Sequence, residues 1–476
     1  MRFAPSIFLV FGVFVDAVVC FADERPPNIL FVMVDDLGAR DLGCYGSDYY
    51  RTPNLDDLAA EGIRFTRAYS AASVCSPTRA SVLTGRYPHR IHLTDALPWD
   101  RLHENPKMVP PNHIKELPQE LPTFANALQE AGYRTALFGK WHLGNEWQFF
   151  SEGKHLEYGF DVAADCSGRE KMRDKGVDEL TRFAVEFIQE NKDNPFLLCL
   201  MHHVPHVPVA SPPEAEAIYD GVVKGRFQKN QGYAGMVSHL DQSIQTLLDE
   251  LVALGLEDDT MVVFTSDNGG LMNLTSNQPW RGGKGNLYEG GLRVPLIIRW
   301  PGNVSPGSVS ESMVMSSDFF PTFREVAGLP PMPDAHVDGS SLMPILRGDS
   351  VPPRTLYWHF PHRNGPSSAM IEGDWKLVHK IVSDQYELFD LEADPAESNN
   401  VARTHPEEVE RLANRLQGHL QSSSAQLMRP NPDWDPDLPI GKVRNFGIFY
   451  PAGGGTYQVV DEPLPKWFDP PNEPDE

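Results

Sequence analysis

Five short apolar runs constrain the fold of this chain more than any other feature: "NILFVMV" at 28–34, "YRTALFG" at 133–139, "FLLCLMH" at 196–202, "TMVVFTS" at 260–266 and "VPLIIRW" at 294–300. None has an alternating polar face, and all are too short for a typical helix, so each reads as a strand buried on both sides. Amphipathic stretches such as "TPNLDDLAAEG" at 52–62 lie between them and read as covering helices. The expected fold is α/β, a large, mostly parallel sheet flanked by helices. Thr52, Pro53 and Gly62 punctuate the first helix as cap, first residue and stop; a second is expected from about Pro122 to Ala131, ending at Gly132.

After about residue 350 the pattern changes to "TLYWHF", "SAMIEGDWKLVHK" and "QYELFDL", with Gly373 and Asp374 suited to a hairpin turn. A smaller antiparallel sheet is expected there, with one helix over residues 405–422 packed on it. Proline-rich stretches, "RPNPDWDPDLP" at 429–439 and "EPLPKWFDPPNEPDE" at 462–476, read as wrapping or a loose tail. The division is therefore a leader at 1–22, a main α/β domain at 23–350 that carries the site, and a smaller C-terminal subdomain at 351–476.

The leader reading rests on an early arginine, an apolar stretch and small Ala22 before charged sequence resumes, the pattern of a secretory signal. Asp16 interrupts that stretch. A lipoprotein anchored through Cys20 is the alternative, but Val19 before it is bulky for such a site, and cleavage near Ala22 is preferred. No later segment offers the roughly 20 continuous apolar residues of a membrane span, so the chain is expected to be secreted or periplasmic. Removing residues 1–22 loses Arg2 and Asp16, one charge of each sign, so the formal net charge stays at −24 and excludes nucleic acid as a natural partner. Of five cysteines, Cys20 leaves with the signal; if Cys75 is special, Cys44, Cys166 and Cys199 permit at most one intrachain bridge.

Polar groups follow the core strands. The first ends in Asp35 and Asp36, another in Lys140 and His142, another in His202, His203 and His206, and another in Asp267 and Asn268. In open α/β sheets the carboxyl ends of strands form the ligand crevice. Asp35, Asp36, Asp267 and Asn268 offer only oxygen ligands, which suits calcium or magnesium rather than zinc. Any one of these aspartates alone reads as an ordinary cap; the matched pairs favour a metal. Lys140, His142 and Lys284, the last within "RGGKGNLYEGG", add cationic or titratable groups and imply an anionic substrate. His89, His92, His103, His113 and His239 read as packed or solvated.

Cys75 lies in "SVCSPTRASVLTG" at 73–85. With Ser76 as cap and Pro77 at the first helical position, it falls at a positive helix N-terminus. An inert buried thiol and a thiolate nucleophile are both readings of such a cysteine; the second requires a histidine base rather than an aspartate-rich site.

"SVCSPTRASVLTG" resembles the first signature of type I sulfatases and "GYRTALFGKWH" at 132–142 the second. The similarity runs from "PNILFVMVDDLG" through "PHVP", "TSDNGG" and "RGGKGNLYEGGLRVP" to "ELFDLEADPAE", covering most of residues 26–402. It implies the alkaline phosphatase-like fold and a sulfuric ester hydrolase in which Cys75 is oxidised to formylglycine by a formylglycine-generating enzyme. One hydroxyl of the hydrated aldehyde attacks sulfur and expels the alcohol; loss of the other's proton expels sulfate and restores the aldehyde. By matching positions, Asp35, Asp36, Asp267 and Asn268 would hold one calcium ion per chain, which also contacts the residue at Cys75. Arg79 would hold the diol, His142 would assist its protons, Lys140 and Lys284 would bind sulfate, and His206 would protonate the leaving alcohol and contact substrate, with His202 and His203 as second choices.

Two competing readings remain: a phosphomonoester or phosphonate ester hydrolase of the same fold, and a non-catalytic sugar-binding protein that keeps it. The overall look resembles bacterial carbohydrate sulfatases acting on galactose or N-acetylgalactosamine, so a sulfated sugar or oligosaccharide is the expected substrate. In "YWHFPHRNG", His359, His362 and Arg363 are candidate sugar contacts, set against a packed aromatic strand ending in a polar turn.

Overall fold

The computed structural model describes residues 25–440, apart from 99, 167, 169–172 and 364, together with 443–446, 448–449 and 458–459. The expected signal at 1–22, with Cys20 and Ala22, and the tail at 462–476 lie outside the described residues.

The apolar runs form the middle of an eight-stranded sheet. In chain order its strands are β1 (Asn28–Val34), β2 (Ile63–Phe65), β3 (Arg134–Gly139), β4 (Val162–Ala164), β5 (Phe196–Met201), β6 (Thr260–Ser266), β7 (Leu296–Arg299) and β8 (Ser308–Ser310); across the sheet the order is β8-β2-β7-β6-β1-β5-β3-β4. All residues of β1, β5 and β6 are buried, because side chains that alternate along each strand meet helices on both faces. Ile29, Phe31 and Met33 pack on one face with residues of α2 (Cys75–Thr84), α3 (Phe124–Glu130) and α6 (Phe319–Val326). Leu30, Val32 and Val34 face α1 (Pro53–Glu61), α4 (Val177–Asn191) and α5 (Gln231–Ala253) on the other.

Two local expectations change, and one open point closes. "VPLIIRW" yields β7, which runs antiparallel to β6 and β2, since the link from β6 carries only the helical turn Glu289–Leu292 instead of a full crossover helix. The helix expected from Pro122 begins at Phe124, because Thr123 and Asn126 make a reciprocal capping box at 3.1 Å in each direction. Cys44, Cys75, Cys166 and Cys199 are all free thiols, so the permitted bridge is not made.

The smaller sheet has β9 (Thr355–Phe360), β10 (Ser367–Glu372), β11 (Trp375–Lys380) and β12 (Gln385–Asp390) in consecutive antiparallel order. Gly373, at φ 60°, and Asp374 make the turn between β10 and β11. On this sheet α7 (Pro406–Ser422) lays Leu412, Leu416 and Leu420 against Met370, Leu377 and Leu388. The 429–439 stretch wraps onto residues 105–109, where Asn431 Nδ2 donates to Pro106 O at 2.8 Å and Asn105 Nδ2 to Asp435 O at 2.8 Å. Among the described residues no helix is long and apolar enough to cross a membrane.

Candidate active site

Parallel register brings the polar strand ends together. Val34 is level with Ser266, and Gly139 with Met201. Beyond those positions the N–H of Asp267 donates to Val34 O at 3.1 Å, that of His202 to Met33 O at 3.0 Å, and that of Lys140 to Met201 O at 2.8 Å. Gly139 is required at this edge: its φ is 99°, and a Cβ there would run into the Met201 carbonyl.

Helix α2 supplies Cys75 as its first residue, with Val74 as N-cap, so it starts two residues earlier than Ser76 and Pro77 imply. Ser76 does not cap; its Oγ accepts from the N–H of Leu97 at 3.1 Å. Pro77 is tolerated inside the first turn, where N–H groups have no intrahelical partner to lose. The Cys75 sulfur is buried, 3.5 Å from Asp35 Oδ1 and 3.4 Å from Lys284 Nζ. Burial pushes its thiol up to about 12. Its hydrogen-bonding partners are a carboxylate and an ammonium, and although a His206 ring nitrogen lies within 4.8 Å, no histidine among the described residues is hydrogen-bonded to it, so the aspartate-rich surroundings weigh against a thiolate nucleophile.

The other site residues close around that sulfur. Lys140 Nζ lies 2.6 Å from Asp35 Oδ2, and Lys284 Nζ 2.7 Å from Asp36 Oδ1. Arg79, one turn beyond Cys75, donates from Nε and Nη2 to Asp267 Oδ2 at 3.0 and 2.8 Å and from Nη1 to Lys140 O at 3.0 Å. Burial would push Asp35 up, but Lys140, His206 and Arg79 hold it well below the usual carboxylate range. Against the same burial, Asp35 keeps Lys140 charged. His142 donates from Nε2 to Leu97 O at 2.7 Å, leaving a buried Nδ1 without a hydrogen bond.

Of the three histidines after β5, His206 is the one that turns to the carboxylates around Cys75: its Nε2 is 3.7 Å from Asp36 Oδ2. His203 is tied to Asp165 at 2.7 Å, and His202 is fully buried with burial pulling it down to about 3. His359 is an interior residue bonded to Ser368 Oγ and Gln426 O, and His362 is buried against Thr94 Oγ1, which corrects both as sugar contacts. Arg363 pairs with Asp95 at 2.7 Å. Among the other histidines, His89 meets His419 at 3.0 Å and His239 meets Asp178 at 3.0 Å.

The donor set fits a hard cation. Asn268 donates from Nδ2 to Asp36 Oδ1 at 2.8 Å, while its own Oδ1 is buried with no hydrogen-bond partner. An amide oxygen left in that state on a residue bonded to the buried Asp36 carboxylate costs free energy that a bound cation would remove.

Sequence reasoning overlooked Glu289, although an acid within a glycine-rich stretch is itself a signal. It is fully buried, accepts from Lys376 Nζ at 2.8 Å and pairs with Arg293, while Lys376 also pairs with Glu397 at 2.8 Å. This network joins the stretch that carries Lys284 to the smaller sheet.

Fold and site together define a sulfatase, and the chain belongs to that family. Residues 27–329 match the family model described as Sulfatase, and residues 282–426 match the one described as N-sulphoglucosamine sulphohydrolase, C-terminal. It is accordingly a sulfuric ester hydrolase. Over 384 residues it is 34% identical to arylsulfatase A of Homo sapiens, covering 71% of each chain. It is likewise 34% identical over 393 residues to N-acetylgalactosamine-6-sulfatase of Homo sapiens, covering 71% of this chain and 72% of that one. The crystal structure of Ps i-CgsB in complex with k-i-k-neocarrahexaose superposes with a TM-score of 0.71 at 29% identity, covering 86% of this chain and 95% of the other.

Proposed function

We propose that this enzyme removes sulfate from a carbohydrate, with Cys75 matured to formylglycine and one calcium ion held by Asp35, Asp36, Asp267 and Asn268. The N-acetylgalactosamine-6-sulfatase and the oligosaccharide-bound structure among its relatives support a sugar substrate of the galactose or N-acetylgalactosamine kind. The placement of Cys75 carries the reading: its buried sulfur stands at the first residue of α2, touching an aspartate and a lysine, with no histidine base among the described residues hydrogen-bonded to it. Calcium, when bound, would polarise a sulfate oxygen as a Lewis acid.

The chain's own groups divide the remaining work. Lys140 and Lys284 bind sulfate oxygens and stabilise charge as the ester breaks. Arg79 holds the matured side chain at the start of α2, and His142, whose Nδ1 has no other hydrogen bond, takes a proton from it. His206 gives the proton from Nε2 to the departing sugar oxygen. Maturation requires a formylglycine-generating enzyme, and residues 1–22 direct export to the periplasm or medium; 23–350 is the catalytic domain and 351–476 the smaller subdomain.

The test is a panel of defined sulfated monosaccharides and oligosaccharides with matched phosphate esters, read by release of sulfate or phosphate. Turnover of at least one sugar sulfate well above every phosphate ester is expected. Turnover confined to phosphate or phosphonate esters would contradict the proposal.

A further inference from the structure

The ring of His206 is oriented by a carbonyl that has a second donor. His206 Nδ1 lies 2.7 Å from Val207 O. A carbonyl only accepts, so Nδ1 carries the proton there, and Nε2, which faces Asp36, is the nitrogen that exchanges protons with the site. Lys175 Nζ donates to the same Val207 oxygen at 2.9 Å, on its other lone pair.

Lys175 reaches that oxygen from an unfavourable backbone. The residue is 8% exposed and has φ 62°, in the left-handed region that non-glycine residues enter at a cost. Gly176 comes next at φ 78°, and a side chain there would collide with Cys166. This tight turn directly precedes α4 and delivers one ammonium to the carbonyl that sets the His206 ring.

We propose that Lys175 is a positioning residue for His206: its charge-assisted bond anchors the Val207 carbonyl, and the carbonyl in turn aims Nε2 at the leaving-group oxygen. The inference rests on His206 being the general acid. The leaving oxygen takes the Nε2 proton as the sulfur–oxygen bond breaks; Nδ1 keeps its proton on Val207 O, and Lys175 transfers nothing. Without Lys175 the carbonyl keeps the ring but loses its own anchor, so the ring moves with the 206–208 segment.

Steady-state kinetics of the mature enzyme on 4-nitrophenyl sulfate and phenyl sulfate test this. Phenol, with a pKa of about 10 like tyrosine, needs a proton on leaving far more than nitrophenolate does. His206→Ala is expected to lose about 10²–10⁴-fold on phenyl sulfate and much less on the nitrophenyl ester. Lys175→Met is expected to lose roughly 10- to 100-fold in kcat on phenyl sulfate, with KM little changed and a smaller loss on the nitrophenyl ester, as for a misplaced catalytic group. Lys175→Arg should restore most of that loss, and the Lys175→Met/His206→Ala pair should be no slower than His206→Ala alone. If Lys175→Met does not fold, Lys175→Gln is read by the same ratio of losses. Equal losses on both esters for the Lys175 variant, or losses that multiply in the pair, would overturn the positioning role and leave His206 standing. Equal losses on both esters for His206→Ala would remove the general-acid reading, and the proposal with it.

Discussion

Lys284 holds its ammonium 3.4 Å from the sulfur of Cys75 and 2.7 Å from Asp36 Oδ1, although the two chain segments are more than two hundred residues apart. Burial would strip its charge, but the Asp36 and Asp35 carboxylates keep it protonated above the usual lysine value. Under the proposed function, a cation held in that position is suited to a sulfate oxygen.

Lys284→Ala should therefore lose about 10²–10³-fold in kcat/KM, the effect of deleting one donor to a developing oxyanion. Lys284→Arg should keep part of the activity. Kinetics on a single sulfate ester check this, and an unchanged kcat/KM for Lys284→Ala would remove Lys284 from sulfate binding.

Asp267→Ala should remove the bound metal along with most turnover. Metal analysis of the wild-type enzyme should find one calcium ion per chain, and stoichiometric zinc without calcium or magnesium would contradict the oxygen-donor set. The Asn268 amide oxygen, buried and unbonded, leads to the same expectation for Asn268→Ala.

Much of this site was legible in the residues. Apolar runs placed β1, β3, β5 and β6, and the polar residues just past their ends pointed to Asp35, Asp36, Lys140, Asp267 and Asn268 before any geometry, with His206 as one of three histidines that only the family resemblance told apart. Local punctuation was less reliable: Ser76 looked like a cap, but a long-range bond to Leu97 N engages its hydroxyl, and the helix starts at Cys75. The direction of β7 was hidden because an apolar run has no polarity, and only the link before it decides. Glu289 and Lys175 act through partners far along the chain or in another turn, which no spacing rule exposes.

Lys376→Met should cost roughly 3–5 kcal/mol, since it leaves Glu289 and Glu397 buried without their ammonium. Burial would push Glu289 up, but Lys376 and Arg293 hold it down to about 2 from an ordinary value of 4.5. Its charge therefore contributes stability fully above pH 4.5, and the contribution disappears as pH falls toward 2. Urea midpoints of wild type and variant should differ most near neutral pH and converge across that acid range. A difference that grows as pH falls would contradict the sign.

At a formal net charge of −24, the chain repels a polyanion at long range. Short or terminal sulfated units should thus be preferred over intact sulfated polymers at low salt, and added salt should relieve the repulsion as the screening length falls from about 30 Å at 0.01 M to about 8 Å at 0.15 M. Rates on both substrate sizes across ionic strength check this. Faster polymer turnover at low salt, declining as salt is added, would instead reveal a local basic groove.

The central claim is that Cys75 is a precursor, because its buried sulfur opens α2 between the Asp35 carboxylate and the Lys284 ammonium, with no histidine base among the described residues hydrogen-bonded to it. Mass spectrometry of the tryptic peptide covering residues 68–79 from active enzyme measures this directly. The predicted result is an aldehyde in place of the thiol, in proportion to specific activity; full activity with Cys75 wholly unmodified would contradict it.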